Sequence, residues 1–231
     1  MKLSKLAWNR SKTIYEAITK HPFNLEMIKG SLSQDKFSYY IEQDAIYLND
    51  FTRCQSLIAT RISPECMSYF LKLANFTNMI ELEIVHQFYK KNLKTKETRR
   101  LSPATMGFVS YLIRTATTEP VEVAVAAVLP SLWIYREVGL HIAENAEDNN
   151  CYQRWIDTYT GEDFKTLVLE AIHIFDELAS RTSEYMRQKM LEAFYITSCY
   201  EWHFWNDIYH LRTLDEFTNG IVAPHECCNR S

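Results

Sequence analysis

Apolar residues recur at helical spacing almost from end to end of this chain, and no strand-like alternation of any length interrupts them. That periodicity predicts an all-α fold, a single-domain helical bundle, with its breaks at recognisable stop and start signals. A first amphipathic helix runs from about Ser4 to Thr19 and ends before His21-Pro22, because proline disfavours the helical conformation in the residue ahead of it. Lys29-Gly30-Ser31-Leu32-Ser33 is the next break, and Ser33 can cap a long helix from about Gln34 to Thr60. Ser63-Pro64 and Ser102-Pro103 repeat one start signal, with serine as cap and proline at the first helical position. The first of these helices is expected to reach about Asn92, with Phe70, Leu73, Thr77, Ile80, Ile84 and Phe88 as its stripe; the second stops before Glu119-Pro120. A helix rich in small residues follows from Pro120 to about Ala143, kinked at Pro130, where one internal hydrogen bond is lost. Asn149-Asn150 opens a short aromatic segment from Tyr152 to Tyr159, and Gly161 separates it from a helix striped by Phe164, Leu167, Val168, Ala171, Ile174, Phe175 and Leu178. Arg181-Thr182-Ser183 leads into the last helix.

The 5 glycines and 6 prolines are spread too thinly across 231 residues to form a linker, so the expected organisation is one domain over 1–218 and a polar tail over 219–231. The chain carries 14 Tyr, 12 Phe and 5 Trp, enough rings for an aromatic-lined cavity, although a large helical core alone can use them.

Two acids stand out against this background. At about 100° per residue, Phe194, Ser198, Phe204, Trp205 and Ile208 fall on the side of Glu201, whereas Cys199, His203, Asn206 and His210 fall opposite. The same count places Phe37, Tyr40, Ile41, Tyr47, Leu48, Phe51 and Ile58 around Asp44. An acid at the centre of an apolar stripe has to be paired, hydrogen-bonded or protonated. A structural carboxylate satisfied by a tyrosine or an amide answers that need for one acid. Two helices far apart in sequence, each aiming an acid inward through aromatic rings, favour a pocket. Ser131 shares the face of Ala124, Ala127, Val128, Ile134, Tyr135 and Val138, so its hydroxyl also points inward, although a buried serine usually bonds back to the preceding turn. No Gly-x-Ser-x-Gly elbow surrounds it, and no histidine is locally placed as its base.

Charge and composition exclude other classes. A net charge of -4 argues against a dedicated nucleic-acid binder, and the basic cluster Lys90 to Arg100 reads as a solvated loop between helical patterns. The first residues are polar and amphipathic, and no segment has the roughly 20 uninterrupted apolar residues of a membrane span, so a cytoplasmic protein is expected. Cys54, Cys66, Cys151, Cys199, Cys227 and Cys228 lack metal or redox spacing and are expected as free thiols. Glu83-x-x-His86 and Glu170-x-x-His173 match the spacing of dinuclear carboxylate bundles, with Asp44, Glu137 and Glu201 available as further ligands. Yet the members of each motif lie about 100° and 160° off their helix's apolar stripe, towards solvent or a neighbouring subunit. Neither a metal nor a cofactor is expected.

Taken in order, the pieces resemble the TenA family, also called thiaminase II, a branch of the haem-oxygenase-like all-helical fold. The resemblance runs through His21-Pro22-Phe23, Gln43-Asp44-x-x-Tyr47-Leu48, Leu129-Pro130-Ser131-x-Trp133-x-Tyr135-x-x-x-Gly139 and Trp155-x-x-x-Tyr159 to Tyr200-Glu201-x-x-Phe204-Trp205-x-x-Ile208-Tyr209. It implies a homotetramer that hydrolyses a C–N bond in thiamine-related pyrimidines, converting 4-amino-5-aminomethyl-2-methylpyrimidine to its hydroxymethyl form. It further implies that Asp44 contacts the pyrimidine, that Tyr47, Tyr111, Tyr135 and Tyr159 line the pocket, that Glu201 is the acid/base and that Phe204 is a packing wall. One position departs from the main branch, where a nucleophilic cysteine follows Leu-Pro: this chain has Ser131, and a hydroxyl is a far weaker nucleophile than a thiolate. The chain is therefore expected to be a cysteine-independent pyrimidine hydrolase that activates water through its carboxylates. A binding or regulatory protein without turnover, a serine nucleophile served by Glu201 and a di-metal oxidative enzyme are the other readings.

Overall fold

A computed structural model describes residues 2–79, 89 and 101–217. Among them are nine α-helices and no strand: α1 (Leu3–Thr19), α2 (Pro22–Ile28), α3 (Gln34–Ala59), α4 (Pro64–Phe76), α5 (Pro103–Thr118), α6 (Val121–Asn145), α7 (Gln153–Thr160), α8 (Glu162–Ser180) and α9 (Glu184–Tyr209), followed by a 3-10 turn at Leu214–Phe217. The all-α expectation holds, and, α2 and the expected end of α4 near Asn92 apart, the helix limits fall within two or three residues of the sequence signals.

The starts follow the capping logic with two departures. Ser33, Ser102 and Ser183 each accept a backbone N–H of the first turn, from Lys36, Thr105 and Met186 respectively. Ser63 occupies the cap position of α4, but its hydroxyl accepts no such bond. The sequence reading also passes over α2, because it takes Pro22 only as the end of α1. Proline is equally a first-turn residue, and here His21 Nδ1 accepts the Phe23 N–H at 3.2 Å to cap the helix that Pro22 begins. The expected stripe of α4 is buried at Phe70, Leu73 and Thr77. Its continuation through Ile80, Ile84 and Phe88, the basic cluster, Glu83 and His86, and the tail with Cys227 and Cys228 lie outside the described residues.

The centre of the bundle is α6, which packs against α1, α2, α3, α5, α7, α8 and α9. Its alanines let those neighbours approach, and it stays helical through Pro130, so the missing amide weakens one turn without ending the helix. By length and composition α6 is apolar enough to cross a membrane, but 78% of its most apolar window is buried among the other helices. Its apolar surface is therefore used by the core.

Three side-chain devices set where the neighbouring elements sit. Gly139 of α6 lies so close to α7 that a Cβ there would stand 2.8 Å from the Tyr159 Cβ, nearer than such atoms can pack. Asn150 ties the end of α2 to the start of α7: its Nδ2 donates to the Met27 and Ile28 carbonyls, and its Oδ1 accepts from the Tyr152 N–H. The first turn of α5 is held from both sides, by Gln43 of α3, which accepts the Ser102 N–H at 2.9 Å, and by Asp207 of α9, which accepts the Ala104 N–H at 2.8 Å. Gln43 neighbours Asp44 in the chain, and Asp207 is under two turns from Glu201, so these anchors also register the two acids.

Candidate active site

Helices α3, α6, α7 and α9 converge with Asp44, Ser131, Tyr159 and Glu201 on their facing sides. Asp44 and Glu201 are each only 1% exposed, as periodicity requires, and the whole ring set predicted around each is buried. On α9 the opposite side is the wet one, with His203 and His210 exposed. Ser131 is also buried, and it does not rely on the preceding turn for a partner: its Oγ accepts the Tyr47 hydroxyl at 2.5 Å, linking α6 to α3.

Rings enclose these groups. Tyr47 and Phe204 lie 6.0 Å apart between centroids, Tyr135 and Tyr159 5.2 Å, and Tyr135 and Trp205 5.5 Å. Tyr40 stacks parallel on Trp205 at 5.6 Å, and its hydroxyl donates to Asp44 Oδ2 at 3.3 Å. Of the five tyrosine and phenylalanine positions implied as pocket lining, the structure gathers Tyr47, Tyr135, Tyr159 and Phe204. Tyr111 stands farther out, half-buried, linked to Tyr47 through Tyr200 and Phe108, with Glu192, Arg114 and Glu119 as its charged neighbours. From the sequence, Tyr40 and Trp205 stand only on the inward faces of Asp44 and Glu201 and Trp155 only in a motif, none with a site role; the signal for Tyr40 is its place one turn before Asp44 on the same face.

The electrostatics separate the two acids. Burial raises the Glu201 pKa to about 8, with the Ser131 hydroxyl opposing the shift and the Asp44 charge adding to it. Glu201 is thus protonated at neutral pH, and its Oε1 is buried with no hydrogen-bond partner. A buried carboxyl oxygen left unpaired costs about 1–3 kcal/mol, so it is the group here best fitted to meet a ligand. Tyr47 and Tyr135 are pushed well above the usual tyrosine value, first by burial; for Tyr47 the next cause is the Glu201 charge, and for Tyr135 it is Tyr40, followed by Asp44 and Glu201. Both remain neutral hydroxyls. The site therefore offers a neutral carboxylic acid able to give a proton, a second acid able to accept hydrogen bonds, and two phenols, inside an aromatic wall.

The metal alternative meets a different geometry. Glu170 and His173 are exposed on α8, and among the described residues no group of three or more His, Cys, Asp or Glu is arranged to hold a metal. Cys54, Cys66, Cys151 and Cys199 are free thiols; burial pushes Cys54 up to about 12, which leaves it inert as a nucleophile.

The chain is similar to known proteins over most of its length. It is 32% identical to the aminopyrimidine aminohydrolase of Bacillus subtilis, covering 98% of this chain and 97% of the relative. It is 26% identical to the aminopyrimidine aminohydrolase of Helicobacter pylori, covering 90% and 99%. Among solved structures it superimposes on a TenA homologue from Pyrococcus furiosus with a TM-score of 0.85 at 20% identity, covering 90% and 99%. A domain with a heme oxygenase-like fold from Shewanella denitrificans gives 0.70 at 14% identity, covering 95% and 96%. The fold is accordingly haem-oxygenase-like. The TENA/THI-4/PQQC family model matches residues 8–211, and the chain belongs to that family.

Proposed function

We propose that this chain is an aminopyrimidine aminohydrolase of thiamine salvage, which replaces the amine of an aminomethylpyrimidine by a hydroxyl and releases ammonia. The observation that carries this reading is Glu201, a buried carboxylic acid with an unpartnered oxygen, held protonated beside Asp44, Ser131 and Tyr47. The full-length likeness to enzymes named for this reaction supports it.

The roles follow from the chemistry each group can supply. Asp44 accepts from the exocyclic amine of the ring, while Tyr47, Tyr135, Tyr159 and Phe204 enclose the pyrimidine, with Tyr111 farther out. Glu201 gives its proton to the departing nitrogen as the C–N bond breaks, then takes a proton from the water whose oxygen bonds to the same methylene carbon. One water is consumed and one ammonia leaves. Ser131 is assigned to orienting that water rather than attacking. Its oxygen already accepts the Tyr47 proton, which ties up a lone pair and lowers its nucleophilicity. No metal or cofactor enters these steps.

Incubation of purified protein with 4-amino-5-aminomethyl-2-methylpyrimidine should release ammonia and the hydroxymethyl product in equal amounts. Saturable binding without product would instead mark a binding or regulatory protein. The proposal includes a homotetramer, as the family resemblance implies, and a cytoplasmic location; light scattering on the purified protein reports its mass directly.

A further inference from the structure

Asp44 belongs to a longer hydrogen-bonded chain that crosses between helices. The Trp155 indole N–H donates to the Tyr40 oxygen at 2.9 Å, and Tyr40 reaches Asp44 Oδ2 at 3.3 Å. The direction of this chain is fixed by donor chemistry. An indole nitrogen can only donate, so the Tyr40 oxygen accepts from it, and the phenol's own proton is turned towards the carboxylate. All three side chains are buried, with Tyr40 fully inaccessible. The Tyr40 ring cannot swing away, because it lies parallel to Trp205 with 3° between planes and packs against Phe23 and Phe37. Tyr40 and Asp44 are one turn apart on α3, whereas Trp155 comes from α7.

We infer that Tyr40, oriented by Trp155, is a positioning residue that fixes the carboxylate of Asp44 for binding the aminopyrimidine. This rests on the reading of the site given above. A carboxylate oxygen that accepts from a hydroxyl held in place by its own ring packing is biased to one orientation before binding, so part of the ordering cost is met in the fold. The simpler alternative is that Tyr40 merely satisfies a buried acid. The two differ in whether loss of the hydroxyl is felt through Asp44.

The test is a double-mutant cycle on Tyr40→Phe and Asp44→Asn. It is read by steady-state kinetics with the aminomethylpyrimidine and by calorimetric binding of the hydroxymethyl product, which also works in inactive variants. Tyr40→Phe keeps the stacked ring and removes only the hydroxyl. It is expected to raise KM and the product Kd about tenfold, the scale of one hydrogen bond to a charged group, with a much smaller fall in kcat. In the Asp44→Asn background the same change should add no more than about twofold, because the group it acts through has been altered. Trp155→Phe should move KM in the same direction by about threefold, and it serves if Tyr40→Phe does not fold. An unchanged KM, or the same tenfold loss in both backgrounds, overturns the inference. A wild type that neither turns over nor binds the pyrimidine overturns the functional reading and this inference together, whereas an active wild type indifferent to Tyr40→Phe overturns the inference alone.

Discussion

The roles proposed for Glu201 and Ser131 can each be tested by a change of a few atoms. Glu201→Gln keeps the shape and hydrogen-bonding capacity of the neutral acid but cannot give up a proton, so kcat should fall by at least about a hundredfold, the lower end for general acid–base catalysis. A variant that keeps wild-type rate would remove Glu201 from the acid/base role. Because the acid is held protonated up to about pH 8, the wild-type rate should decline as pH rises through that value, and the decline should be missing from the residual activity of the variant. Ser131→Ala separates attack by water from attack by serine. Water attack predicts a variant that still turns over, slowed by about tenfold or less through loss of one hydrogen bond near Glu201; a dead but folded, substrate-binding variant would make Ser131 the nucleophile. The inward direction of both acids is legible in the sequence because helical periodicity acts within one helix. The Tyr47 bond to Ser131 and the Trp155 bond to Tyr40 are not legible in this way. They join α3 to α6 and to α7 across 84 and 115 residues, and no local pattern encodes such a meeting.

At the scale of the helices, the site depends on how closely α7 lies on α6. Gly139 permits that approach, and it brings Tyr159 to 5.2 Å from Tyr135 of α6. Gly139→Ala places a methyl 2.8 Å from the Tyr159 Cβ, so α7 must move. Overpacking of this kind costs about 1–3 kcal/mol, and a thermal melt should show it, accompanied by a rise in KM as Tyr159 and Trp155 shift. An unchanged KM in a destabilised variant would mean that α7 does not shape the pocket. The glycine belongs to the motif Tyr135-x-x-x-Gly139, but spacing alone does not say which neighbour it admits. Helix limits were easier to read, since Ser-Pro and Gly-containing breaks act on adjacent residues. The short helix α2 is hidden by the same local logic, because proline both ends one helix and begins another, and the His21 cap marks the beginning.

For the molecule as a whole, the acid proposed for catalysis works against stability, and pH exposes the conflict. Glu201 has an ordinary pKa of 4.5 and a folded value of about 8, raised chiefly by burial, so the folded state keeps a proton that the unfolded chain has released. The stability linked to it is complete below 4.5 and is lost as pH rises through 8, with a slope of at most about 1.4 kcal/mol per pH unit. His21 is the reverse case: burial lowers it from 6.5 to about 4, and Asn206 opposes the shift. The stability linked to neutral His21 is present above 6.5 and lost as pH falls through 4, which would also remove the Nδ1 acceptor that caps α2. Between these limits the two groups pull in opposite directions, and above pH 6.5 the Glu201 contribution acts alone of the pair. Glu201→Gln replaces the acid by a neutral side chain of the same shape beside Asp44, Ser131 and Tyr47. Its melting temperature relative to wild type should therefore rise steadily from pH 5 to pH 8, by about 2–4 °C for each kcal/mol in a chain of this size. The slower variant should be the more stable protein at pH 8. Parallel melts across that range, keeping a constant gap between variant and wild type, would show that Glu201 is not held neutral, and the proton donor assigned to the reaction would be lost with it.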